Sequence, residues 1–210
     1  MKVNFNQIRF STIIYIGIVV ALLFMGFSLI MSNIKDSYNE KVKDYRKQKD
    51  DYFKSSAGSP INDKGSFEGL NYFEPDKKYQ VKADISLLDD TIPLTMHRSD
   101  GKKDSYIRFA LATFILEGKE YSLVLLQHEN EQEPNVLFLP FADKTNGETS
   151  YGGGRYIDLK YKNTPKITID FNFAYNPYCA YNYKYSCPIP PKENYLDVTI
   201  LAGEKAYKVN

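Results

Sequence analysis

The nine residues Tyr79 to Leu87, YQVKADISL, decide the fold class. Tyr79, Val81, Ala83, Ile85 and Leu87 alternate with Gln80, Lys82, Asp84 and Ser86, so one face of an extended strand is apolar and the other wet. Working towards the C-terminus, Ile92, Leu94 and Met96 repeat the pattern and Asp100-Gly101 supplies a turn. Ile107 to Leu116 is apolar on both faces, as a central strand would be, and Glu117-Gly118-Lys119 turns the chain into Tyr121 to Gln127. Val136 to Phe141, Arg155 to Tyr161, Lys166 to Asn172 and Tyr195 to Leu201 are further strand candidates. Short strands with turn signals between them, and no second long helical pattern, predict a mainly β domain over residues 55–210, an antiparallel sandwich or barrel-like roll.

Working towards the N-terminus the character changes twice. Residues 35–54 carry 12 charges in 20 positions, with Ile34, Tyr38, Val42, Tyr45, Tyr52 and Phe53 at helical spacing. Residues 32–54 are therefore expected to form a charged helical stalk. Lys49 interrupts the apolar seam and leaves too few heptads for a coiled-coil dimer, so the helix should pack one edge onto the domain. Ser55, Ser56, Gly58 and Ser59 before Pro60 then end it.

Residues 10–31, FSTIIYIGIVVALLFMGFSLIM, contain no charge. At about 1.5 Å per residue they reach roughly 33 Å, enough to cross a bilayer. The run is longer than the core of a cleaved signal peptide and no A-x-A site follows, which favours an uncleaved signal anchor and the lipid bilayer as first partner. Lys35, Lys41, Lys43 and Arg46 follow the segment and Lys2 and Arg9 precede it, so raw counting favours a cytoplasmic domain. The tail of residues 1–9 has no acidic residue to offset its charge in crossing, which favours leaving it in the cytoplasm. The expected topology is a single pass through the inner membrane with residues 55–210 outside.

Composition narrows the function classes. Twenty-seven basic against 26 acidic residues give a formal charge of +1, so there is no basic footprint for nucleic acid. The P-loop, dinucleotide, nucleophile-elbow, zincin and EF-hand signatures are absent from the sequence, and no motif asks for a cofactor. His97 and His128 each follow a strand beside a polar loop and read as surface residues. Cys179 and Cys187 are spaced too widely for a zinc knuckle, which leaves no metal site. Asp158 and Asp170 would share a face if the chain made a hairpin through Lys162-Asn163-Thr164-Pro165, with Tyr156 opposite Asp170.

The last third is compositionally distinct. YGGGRYIDL, DFNFAYNPYCAYN and CPIPPKENYLDVTILAGEK, together with LFLPFADKTNGETSYGGGRY, resemble the signature of the bacterial and archaeal family called domain of unknown function 1684. The resemblance runs from the charged helix to the end of the chain, and it implies no activity. It marks Gly152, Gly153, Gly154, Arg155, Asp170, Asn172, Asn176, Pro177, Cys179, Cys187, Pro188, Glu193 and Asn194 as matching the family's words. Other members look like lipoproteins or leaderless proteins, so the anchor is a departure from them.

Three expectations concern this region. The glycines precede a strand instead of a helix, so they suit a tight turn or bulge better than a phosphate cradle. Cys179 and Cys187, in a domain facing out, are expected to form a disulfide worth about 2.5 kcal/mol in the chain-entropy model, a pair of buried thiols being the alternative. Arg155 is expected to anchor residues 170–194 through Asp170, Glu193 and the carbonyls of the Pro-rich stretch. The functional expectation is a membrane-anchored binding or scaffolding module that works with other envelope proteins. The alternative is an enzyme using the glycine loop and the Asp, Asn and Cys-rich motif.

Overall fold

The computed structural model describes residues 10–89, 93–129, 133 and 135–207. The expected cytoplasmic tail and Ile92 lie outside the described residues. One helix, α1, runs Phe10–Ser55 without interruption. The chain divides into two compact units, Met1–Lys41 and Val42–Asn210, so the last turns of α1 belong with the β-rich unit. In the first unit the helix is long and apolar enough to cross a membrane, and its large apolar side chains from Ile14 to Met31 are exposed.

Among its described residues the second unit holds eight strands: β1 (Gln80–Leu87), β2 (Leu94–His97), β3 (Lys103–Leu116), β4 (Lys119–His128), β5 (Val136–Asp143), β6 (Arg155–Lys160), β7 (Lys166–Asp170) and β8 (Tyr195–Leu196). They form one sheet in the order β6-β5-β4-β3-β1-β7, with β2 added on β3 and β8 running parallel to β5. Alternation in β1 places Val81 and Ala83 inside and Lys82 outside, as the pattern predicts. Glu117 and Gly118 both take positive φ, 52° and 78°, which is the tight turn a two-residue hairpin needs between twisted strands. The 14-residue β3 is central, and a bulge between Arg108 and Ala110 bends it.

The expected hairpin of β6 with β7 does not form. β6 pairs with β5, from Val136↔Lys160 to Phe141↔Arg155, while β7 pairs with β1, from Gln80↔Asp170 to Asp84↔Lys166. Asn163 does turn the chain, with φ 58°, but the turn joins the two edges of the path. Six flat strands would set those edges about 24 Å apart. The link from Lys160 to Lys166 spans at most roughly 21 Å. The sheet must therefore curl, and it makes an antiparallel half-barrel around Val81, Phe114, Leu125, Leu139, Phe141, Ile169 and Phe171. A smaller cluster of Met96, Tyr106, Val124 and Leu126 covers part of the outer face.

Two strands are shorter than the pattern suggests, for identifiable reasons. β7 stops at Asp170 because its carboxylate accepts the Asn172 N–H and caps a 3-10 turn, Phe171–Phe173. β8 stops at Leu196 while the carbonyls of Ile200, Ala202 and Glu204 turn to Arg155 instead of a ladder partner.

Candidate functional site

The family-signature residues are placed first. Gly154 takes φ +90°, and a Cβ there would lie 2.8 Å from the Phe141 carbonyl and 2.5 Å from Pro190 Cγ, so only glycine fits. Gly152 and Gly153 do not require positive φ. Directly after them Arg155 opens β6 with its side chain wholly buried. Its Nη2 donates to Asp143 Oδ2 at 2.6 Å and to the Ile200 carbonyl at 3.1 Å, and Nη1 donates to the carbonyls of Ala202 and Glu204. Arg155 is thus an anchor, but it holds residues 200–204 and not 170–194.

The expected acceptors of Arg155 are engaged elsewhere. Asp170 accepts from Gln80 Nε2 at 2.8 Å and from Asn172. Asn172 pairs both ways with the Asp76 backbone at 2.9 and 2.8 Å, as a strand neighbour would. Asn194 does the same to Val124 and also donates to the Pro140 carbonyl at 2.8 Å, tying β4 to β5 where their ladder is reduced to Leu126↔Phe138. Glu193 faces Arg108 at 3.1 Å on the surface. Asp158 and Asp170, on strands at opposite ends of the sheet path, do not act as a carboxylate pair.

Asp158 has a different setting. The free edge of β6 takes one bridge, Tyr156↔Tyr175, with backbone bonds of 2.9 and 3.0 Å. That bridge brings the Tyr175 hydroxyl to Asp158 Oδ2, to which it donates at 2.7 Å. The last turns of α1 supply the facing wall, and Tyr45, Gln48, Lys49, Tyr52, Phe53 and Tyr178 complete a pocket of about 460 Å³ around this pair.

Electrostatics in the pocket are tuned by burial. Lys49 Nζ lies 2.6 Å from Glu204 Oε1 and 4.4 Å from the centroid of the Tyr175 ring. The Lys49 side chain is 14% exposed and that of Glu204 1%, so this is a nearly dry ion pair. Glu204 also accepts the Asn176 N–H at 2.9 Å and the Tyr181 hydroxyl. Desolvation raises the Asp158 carboxyl above its ordinary range, while Tyr175 and Lys49 pull it back. Desolvation likewise pushes Tyr45 up to about 12, with Glu204 adding to it. Tyr45, Tyr175, Tyr178 and Tyr181, all pushed up chiefly by burial, are neutral donors at physiological pH.

Two residues central to this geometry, Lys49 and Glu204, carry no sequence signal as a pair. Lys49 sits on the apolar stripe of α1, and a charge on such a stripe, there read as a break in a seam, was the available clue. Asp143, the partner of Arg155, lies in the quoted word LFLPFADK but is not marked by its type or spacing.

The cysteines lie close together outside this pocket. Instead of the expected disulfide the structure contains two free thiols. The Cys179 N–H donates to Cys187 Sγ at 3.3 Å, and the two thiols share a hydrogen bond.

Comparison with known proteins agrees with the signature words. The family described as protein of unknown function, DUF1684, matches residues 65–205. The chain belongs to this family. The DUF1684 match takes in the half-barrel, Arg155 and its acceptors, Asp158, Tyr175 and Glu204, and it begins after α1. The DUF1684 chain is also similar to an uncharacterised protein of Haloarcula marismortui solved in solution by NMR. The two share 35% sequence identity with a TM-score of 0.64, over 81% of this chain and 95% of that one. No protein of curated function matches it.

Proposed function

We propose that this chain is a membrane-anchored binding module, held in the inner membrane by residues 10–31, whose β-rich unit faces out of the cytoplasm and takes a hydroxyl-rich small molecule. A saccharide unit of an envelope polymer is the class that fits. The observation that carries this reading is the pocket of about 460 Å³ in which Asp158, Gln48 and Lys49 stand among five aromatic rings. Aromatic faces accept the apolar face of a sugar ring, and a few fixed polar groups orient its hydroxyls. Asp158 has one oxygen occupied by Tyr175, which leaves Oδ1 to accept from a ligand hydroxyl. Lys49 is already neutralised by Glu204, so no unbalanced cation invites an anion. The exposed apolar helix ahead of this unit supports the anchor.

Two measurements test the reading. Saturation-transfer NMR with the full chain in micelles and a panel of neutral mono- and oligosaccharides should give ring contacts from Tyr45 and Tyr175, lost in Asp158→Ala. Absence of transfer from every neutral saccharide, with the protein folded, overturns the ligand class. Protease added to cells with a permeabilised outer membrane should digest the β-rich unit; protection until the inner membrane is lysed reverses the orientation.

A further inference from the structure

Cys179 and Cys187 come together by two separate devices. Cys179 lies in a 3-10 turn, Tyr178–Ala180, whose capping bonds fix its backbone. Cys187 is tied to the turn between β2 and β3. Ser99 N–H donates to the Cys187 carbonyl at 3.1 Å, Cys187 N–H donates to Ser99 Oγ at 3.3 Å, and Ile189 N–H donates to the His97 carbonyl at 2.8 Å. The two cysteine backbones are thus fixed by separate anchors. The Cys179 N–H points at Cys187 Sγ, and the Tyr151 hydroxyl lies 3.6 Å from Cys179 Sγ. Both cysteines are half-buried, so small reagents can reach them.

We propose that Cys179 and Cys187 form a redox-active dithiol that exchanges with a low-molecular-weight disulfide, Cys179 as the attacking sulfur and Cys187 as the resolving one. This assignment stands independently of the ligand pocket.

The asymmetry of the two sulfurs sets the roles. The Cys187 thiol donates to Cys179, and with the Tyr151 hydroxyl and a Ser99 contact this brings Cys179 down to about 6. The same shared proton, with burial, pushes Cys187 up, against the opposing Cys179 N–H and a smaller effect of Arg98. The charged and titratable groups facing the pair are therefore Tyr151, Tyr156 and Arg98. With the Tyr151 hydroxyl and the Cys187 thiol both facing its sulfur, Cys179 is the side of the pair on which a thiolate is favoured, and it is the nucleophile.

The chemistry balances without any further reagent. The Cys179 thiolate attacks one sulfur of the small disulfide, the S–S bond breaks, and one thiolate leaves and takes a proton from water. Cys187 then releases its proton to solvent, its thiolate attacks Cys179 Sγ, and the second small thiolate departs. Two protein thiols are oxidised to one disulfide, and the small disulfide is reduced to two thiols. Capping Cys179 removes the neighbouring thiolate that raised Cys187, so the first step activates the second.

The test uses the reduced full chain in detergent micelles with oxidised glutathione, quenched in acid and followed by mass spectrometry. A transient mixed disulfide followed by an intramolecular disulfide is expected. Cys187→Ser should stop at a stable mixed disulfide on Cys179. In the reduced wild-type chain at pH 6, brief iodoacetamide treatment followed by peptide mapping should label Cys179 roughly tenfold more than Cys187, the higher thiolate fraction outweighing the lower intrinsic nucleophilicity. The proposal is overturned if the wild-type chain keeps two alkylatable thiols after oxidised glutathione, if the mixed disulfide accumulates without resolving, or if brief alkylation labels the two wild-type cysteines equally. The wild-type time course decides the matter even if a variant fails to fold.

Discussion

Arg155 Nη2 lies 2.6 Å from Asp143 Oδ2, and neither side chain is reached by solvent. Burial lowers the guanidinium's affinity for its proton and Asp143 offsets part of that effect, so the buried cation depends on its partner. Removing one partner leaves a buried charge unpaired, at a cost of about 3 to 5 kcal/mol. Arg155→Ala and Asp143→Ala should both lose stability on this scale in urea titrations of the full chain in micelles. Arg155→Lys should also fall well short of wild type, because an ammonium cannot serve Asp143 and three backbone carbonyls in one plane. Unchanged midpoints in all three would remove the anchoring role.

Lys49 and Glu204 form a second buried pair, this time between α1 and the end of the chain. Lys49→Met should cost about 3 kcal/mol by stranding Glu204, and Glu204→Gln a similar amount by stranding Lys49. The double variant should recover most of the loss. A double-mutant cycle measures the coupling, and additive losses would mean that the two charges are held by water instead of by each other.

Gly154 and Gly152 offer a matched contrast. Gly154→Ala forces a Cβ into positive φ and against the Phe141 carbonyl, which should cost about 2 kcal/mol or more. Gly152→Ala meets only ordinary contacts with Gly147, and its melting temperature should stay close to wild type. Equal effects at the two positions would refute this account of the loop.

The pH dependence of Asp158 has a definite sign. Its folded pKa is raised, so below the unfolded value of about 3.9 both states are protonated and nothing is gained or lost. As pH rises from there through the folded pKa, the folded state holds its proton longer than the unfolded one, and stability falls. Asp158→Asn removes this decline. The difference in melting temperature, variant minus wild type, should be near zero at about pH 3 and positive above about pH 6. A negative difference at the higher pH would show that the Tyr175 hydrogen bond outweighs desolvation.

The unit boundary at Val42 predicts how truncations behave. A chain starting at residue 42 keeps Val42, Tyr45, Lys49 and Phe53, of which Val42 and Phe53 are almost wholly buried. One starting at residue 55 loses them and exposes Phe67 and Tyr181, which Phe53 covers with ring centroids 6.3 and 5.0 Å away. The longer chain should give a cooperative melt and the shorter one should bind a hydrophobic dye. Indistinguishable melts would show that residues 42–54 do not brace the β-rich unit.

What could be read from sequence follows the range of the forces involved. The alternation in Gln80–Leu87 and the Glu117-Gly118 turn are local, and both were legible. The turn at Asn163 was also legible, but a turn signal says that the chain reverses and not with which strand the next segment pairs. β7 pairs with β1, nearly ninety positions away in sequence. Arg155 was readable as an anchor from its chemistry and from the glycines before it. Its acceptors were not, because backbone carbonyls carry no side-chain signature. Lys49 reads in sequence only as a break in an apolar seam, because its partner Glu204 lies 155 positions later.

The β1–β7 ladder, which joins Gln80 to Asp170, also bears on the order of folding. The β3–β4 hairpin closes across two residues and can nucleate early, whereas β1 gains its second neighbour only after a loop of some ninety residues has been organised. Loop-closure entropy is spent before that contact repays it, so the half-barrel should fold on the slower, millisecond-to-second scale of non-local β topologies. Until then β1 presents one unpaired edge, and this is the interval in which the chain is most exposed to pairing with another copy of itself.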